Sequence, residues 1–205
     1  MTAIDAEKEE MVGIEDIRRR VMDDAEDLIK AISFVNPLIV SGQLYKLGVE
    51  RKPIGEFLRK ILARNVVLIA TRLHERHGEG RTGHSASIPA LLEYSKGQLP
   101  NLMIDAFDSD RKALVDNLER HEISFNDLYS LRTAMVAHSV HPRKPLSDKL
   151  YYSSILDFAL GTYELATTID GELVKIGMPE YWKWSDLRED WIKKGQSFWS
   201  ELIED

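Results

Sequence analysis

The chemistry-bearing stretch of this chain is Leu131-Arg-Thr-Ala-Met-Val-Ala-His-Ser139, in which Arg132 and His138 stand six positions apart. An arginine supplies a fixed positive charge for a phosphate, and a histidine exchanges protons near neutral pH. Together they suit general acid–base chemistry at a phosphodiester. If the segment is helical, Leu128, Leu131 and Met135 form an apolar stripe, with Arg132 and His138 on its two flanks. The two would be about 120° apart around the axis and about 9 Å apart along it. Side chains so separated border one cleft without touching, so a complete site needs a facing element, and a second copy of the chain would supply one. His138 falls in the expected last turn, where unpaired carbonyls favour the imidazolium. His141, Arg143 and Lys144 follow in a loop bounded by Pro142 and Pro145, a basic run suited to holding phosphates. Spacing alone does not assign a site, because Arg72 and His77 show a comparable pair. The alternative for His138 is a histidine hydrogen-bonded inside a core.

The elements that must position these residues read as helices throughout. Ile14, Ile17, Val21, Ala25, Leu28, Ile32 and Val35 recur at three- and four-residue steps up to Asn36-Pro37, where the first helix is expected to break. A second helix is expected from Pro53 to near Gly78, with Ile54, Phe57, Leu58, Ile61, Leu62, Leu68, Ile69 and Leu73 inward. On its apolar face Asn65 reads as a buried amide bonded within the bundle. A glycine-containing loop over 78–85 leads to a short helix capped by Ser87, and another helix is expected from about Ala106 to Arg120. Ser124 and Asp127 form a capping box, and Ile123 with Leu128 a hydrophobic staple, so the helix carrying Arg132 and His138 should run from Phe125 to about Val140. Ser147 caps the next helix, whose stripe runs from Leu150 through Ile155, Phe158, Thr162 and Ile169 to Gly171, with Gly161 allowing a neighbour to approach. Trp182, Trp184, Trp191 and Trp199 crowd the closing segment, where Leu187, Trp191, Phe198 and Leu202 keep helical spacing and should close the bundle.

Two blocks in this order resemble HEPN domains of the abortive-infection-like branch. One is Leu131-Arg132 through Ala137-His138-Ser139. The other is Val67-Leu-Ile-Ala-Thr-Arg-Leu-His74, then a glycine-containing loop, then Ala86-Ser-Ile-Pro-Ala-Leu-Leu92. The similarity covers residues 14 to 170. It implies an all-α, up-and-down helical bundle of HEPN type, here with an added aromatic-rich C-terminal helix, and a homodimer. It also implies a metal-independent endoribonuclease of toxin–antitoxin or phage-defence systems, with RNA as substrate and an antitoxin protein as partner. By the resemblance Arg132 and His138 are the catalytic pair. Thr133, Ser139, His141, Arg143 and Lys144 are the residues beside them that would contact substrate. Thr133 stands where active members commonly carry Asn, Asp or His, and Val140 stands where some members paired with nucleotidyltransferase antitoxins carry a tyrosine. A second function class is therefore a catalytically inactive HEPN-fold module that binds nucleotide, RNA or a protein.

Composition bounds these expectations. The chain has 205 residues, 43% hydrophobic and 30% charged, which fits one folded domain over 13–205 after a mobile stretch over 1–12. There are no cysteines, which excludes disulfides, thiolate metal sites and a cysteine nucleophile. The longest apolar run, Val66 to Ala70, is far below the ~20 residues that cross a bilayer, and the N-terminus lacks a signal-peptide pattern. A cytoplasmic protein with no membrane partner and no cofactor is expected. A net charge of −7 argues against indiscriminate nucleic-acid coating while leaving room for a local basic site. His74, Glu75, His77 and His84 lie together where the second helix meets its glycine loop and could share a divalent metal, although histidines at a helix end are more often simply exposed.

Overall fold

In the computed structural model, described over residues 3–39, 52–75, 86–121, 123–125, 128 and 150–204, the chain is all-helical, with no strand among the described residues. The helices are α1 (Ala3–Ile39), α2 (Lys52–Leu73), α3 (Ile88–Tyr94), α4 (Asn101–Arg120), α5 (Leu150–Lys175) and α6 (Trp184–Glu204). The apolar stripe of α1 is buried along its length, and Met22 and Ile29 beside it are buried too. The face is wider than one stripe because α2, α3, α5 and α6 all pack on α1, which makes it the axis of the bundle.

Local chemistry sets several boundaries. Ser87 caps α3, its Oγ accepting from Ala90 N–H at 3.3 Å, with Pro89 in the first turn. α5 continues to Lys175, four residues past Gly171, and is closed by Gly177 beyond its end, whose φ of +104° suits a residue without Cβ. There Gly177 N–H donates to the Val174 carbonyl (3.0 Å) and Met178 N–H to the Leu173 carbonyl (3.1 Å), a Schellman closure with Met178 and Leu173 both buried. α4 starts at Asn101 rather than Ala106, directly after Pro100.

α1 does not break at Asn36-Pro37 but continues to Ile39 with Pro37 inside it. Proline has no N–H to give the carbonyl four residues back, here that of Ser33. α6 crosses at that carbonyl: a Cβ on Gly195 would lie 2.1 Å from Ser33 O, so the close approach requires glycine. One turn on, Trp199 is buried and its indole N–H donates to the Phe34 carbonyl at 2.6 Å. Trp199, not Phe198, is the inward aromatic; Phe198 is partly exposed and meets Phe34 edge-on. The tryptophan-rich segment thus closes onto α1, through a glycine and an indole. Gly195→Ala is expected to destabilise the protein, although alanine ordinarily gains about 0.8–1.0 kcal/mol over glycine in a helix. Gly171→Ala, where nothing lies within 4 Å of the added Cβ, is expected to show that gain. Urea midpoints with unchanged slopes compare the two.

The first half of α2 departs from expectation. Ile54 is 56%, Phe57 63% and Ile61 36% exposed, so this stripe faces outward, whereas Val66, Val67, Ala70 and Leu73 are buried. Asn65 is exposed as well and needs no partner inside the bundle. Gly161 behaves as expected: a Cβ there would come within 2.4 Å of Leu114 Cδ2, where α4 packs on α5.

Candidate functional site

The helix expected to carry Arg132 and His138 begins in the core. Ile123 and Leu128 are both buried, and Leu128 N–H donates to the Ser124 carbonyl at 3.2 Å, the spacing of a first helical turn. This is the burial a hydrophobic staple requires. Asp127, the other half of the capping box, lies outside the described residues, as do Arg132, Thr133, His138, Ser139, Val140, His141, Arg143 and Lys144.

What the first turn packs against is the end of α2. The Phe125 ring lies 6.0 Å from the His74 ring and 6.2 Å from Phe158 of α5, and His74 lies 4.8 Å from Phe158. The end of the first block, at His74, thus packs on Phe125, six residues before Leu131. Within the first block Val67, Ala70, Thr71, Leu73 and His74 are buried. Arg72 reaches outward and pairs with Asp24 of α1, where burial raises the Asp24 carboxyl above its ordinary range against the pull of the Arg72 guanidinium. Ile88, Ala90, Leu91 and Leu92 of α3, which packs on α1 and α4, belong to the same core.

His74 is a core histidine. Its Nε2 lies 2.9 Å from Thr162 Oγ1, and that hydroxyl donates to the Phe158 carbonyl at 2.8 Å. With the hydroxyl proton so placed, the Thr162 oxygen accepts and the imidazole proton sits on Nε2. Nδ1 then has a lone pair with no partner among the described residues. Burial, aided by the Arg111 guanidinium, pushes the imidazole down to about 3, so it is neutral at physiological pH. His77 and His84, its expected companions at a metal, lie outside the described residues. Among the described residues no three His, Cys, Asp or Glu side chains converge for a metal ion.

A depressed histidine makes stability depend on pH. The unfolded imidazole binds its proton near 6.5 and the native one near 3, so between these values the unfolded state holds more protons and stability is lost as the pH is lowered. The expected loss is about 1.4 kcal/mol per pH unit below 6.5. Subtracting the curve of the non-titrating variant His74→Gln removes the other groups. A difference that grows as pH falls from 6.5 to 4 is predicted, and parallel curves would contradict it.

Sequence reasoning missed a second buried polar cluster. Arg18 Nε donates to Asp170 Oδ1 at 2.6 Å, with both side chains almost wholly buried. Trp184 Nε1 donates to Asp170 Oδ2 at 2.7 Å, and the Tyr181 ring lies 5.6 Å from the Arg18 guanidinium carbon. Tyr181 in turn donates to Glu15. Neither Arg18 Nη group has a partner among the described residues. The signal was present: Arg18 is four residues after Ile14 and three before Val21, on the apolar stripe, but it sits in the run Arg18-Arg19-Arg20. The cluster ties the segment after α5 to α1.

Among the described residues no helix is long and apolar enough to cross a membrane. Comparison with known protein families, with curated proteins and with solved structures finds no match to this chain.

Proposed function

We propose that the chain is a HEPN-type bundle acting as a metal-independent endoribonuclease of a toxin–antitoxin or phage-defence system. In this reading a ribose 2′-hydroxyl attacks the adjacent phosphorus. The attacking oxygen loses its proton, the P–O5′ bond breaks, and the 5′-oxygen leaves protonated. His138 moves these protons, and Arg132 stabilises charge on the pentacoordinate phosphate. Thr133 and Ser139 lie beside the reacting group, and His141, Arg143 and Lys144 hold flanking phosphates. Two copies of the chain complete the cleft, and an antitoxin protein restrains it.

The observation that supports this reading is that the first sequence block ends against the segment that precedes the second: the rings of His74 and Phe125 meet against Phe158 in an all-helical core. A protein with this activity cuts RNA in excess EDTA and leaves 2′,3′-cyclic phosphate ends. Thr133 favours a second reading, a non-catalytic HEPN-fold module, since threonine lacks the amide, carboxylate or imidazole common in active members. That module binds RNA, nucleotide or a protein at the same cleft and leaves RNA intact.

A further inference from the structure

α2 carries two apolar faces. Val66, Val67, Ala70 and Leu73 are buried in the core that α2 shares with α1 and α5. Ile54, Phe57 and Ile61, at steps of three and four residues, form a second stripe that is exposed, and half-buried Leu68 falls on the same line seven residues on. Steps of three, four and seven are the register in which one helix packs along another. A single exposed apolar side chain is ordinary, whereas a line of large ones with the aromatic ring most exposed marks a contact surface.

We propose that this stripe is the interface of a homodimer, in which the α2 helices of two copies pack antiparallel across a two-fold axis. The stripe answers itself, as an isologous interface requires: antiparallel packing sets Phe57 of each copy opposite Ile61 of the other. Charge selects the direction. Residues 51–64 hold five Lys or Arg against one Glu, and Arg64 is exposed on the line between Ile61 and Leu68. Parallel helices would bring the two Arg64 side by side, whereas this antiparallel register places them about 15 Å apart along the axis. From Ile54 to Leu68 the stripe runs about 21 Å. A standard interface covers about 800 Å² on each partner, so surface beside α2 joins in, with Phe57 as the central anchor. The nuclease reading calls for two copies, and the inference rests on it only in naming the face where they meet; its test reads mass rather than cleavage, so either can fail alone.

Sedimentation equilibrium of the full chain and of three variants tests it. The parent is expected to dimerise with Kd of about 10 μM or tighter, and Phe57→Glu and Ile61→Lys each at least tenfold more weakly. Leu102→Glu, which replaces an exposed leucine of α4, is expected to dimerise like the parent. Mixed together, Phe57→Glu and Ile61→Lys are expected to associate more tightly than either alone, because antiparallel packing sets the glutamate against the lysine. Since the helices that meet are both basic, the parent dimer is expected to tighten between about 50 and 500 mM NaCl, where contact with an acidic surface would weaken. Circular dichroism confirms that each variant keeps its helices. A parent that stays monomeric at about 100 μM overturns the proposal, whether its stripe then binds anionic lipid vesicles or nothing. So does dimerisation of Phe57→Glu and Ile61→Lys as tight as that of Leu102→Glu, or a mixture no tighter than its components.

Discussion

Replacing His138 by alanine is expected to lower the rate of RNA cleavage by about 10²–10⁴-fold, the range typical of a group that transfers protons in the transition state. Arg132→Ala is expected to lose about 10²–10³-fold, comparable to removing one preorganised donor from a developing negative charge. The stability readout separates chemistry from architecture. By their three- and four-residue spacing from Leu128, which is buried, Leu131 and Met135 are expected to be core residues, so Leu131→Ala or Met135→Ala should cost about 2–5 kcal/mol. A histidine at the border of a cleft near a helix end should cost about 1 kcal/mol or less, chiefly its interaction with the terminal carbonyls. His74 shows what the opposite outcome looks like: a core imidazole bonded to Thr162 and pressed on Phe158. If His138→Ala destabilises as much as Leu131→Ala, His138 is another such residue and the site assignment fails.

The largest stability effect away from that helix is expected at Arg18. Its guanidinium and the Asp170 carboxylate are held in the core at 2.6 Å, where removing one partner leaves the other buried and uncompensated. Arg18→Met should therefore lower the unfolding free energy by about 3–5 kcal/mol. The double variant Arg18→Met with Asp170→Leu should lose less than the single one, because no unpaired charge remains, although Trp184 Nε1 then loses its acceptor. Denaturant titration of the three proteins decides this. A single variant within 1 kcal/mol of the parent would show that the pair adds little beyond its packing.

Much of the bundle was legible because its signals are local. The three- and four-residue steps of α1 and α5, the Ser87 cap and the Ile123–Leu128 staple depend on neighbours in sequence, and the structure places them as those signals require. What was not legible depends on a second element. Periodicity groups Ile54, Phe57 and Ile61 on one face of α2 but cannot say whether anything covers that face, and the three are exposed. Phe198 and Trp199 are adjacent aromatics about 100° apart, and only the crossing at Gly195 makes Trp199 the inward one. Proline at 37 signalled a break, yet the helix persists where Gly195 and Trp199 pack on the carbonyls of Ser33 and Phe34. At the candidate site, the sequence located the start of the helix that leads to Arg132 and His138. The aromatic contact that seats this start, Phe125 on His74 and Phe158, joins residues far apart in the chain and could not be read from spacing.

The most direct test of the functional account is the single-turnover cleavage of one defined RNA by the full chain and by His138→Ala, both in excess EDTA, with the product ends analysed. The account predicts undiminished cleavage by the parent chain, 2′,3′-cyclic phosphate ends, and a loss of about 10²–10⁴-fold in the variant. Abolition of the parent's activity by the chelator, or equal cleavage by the two proteins, would contradict it.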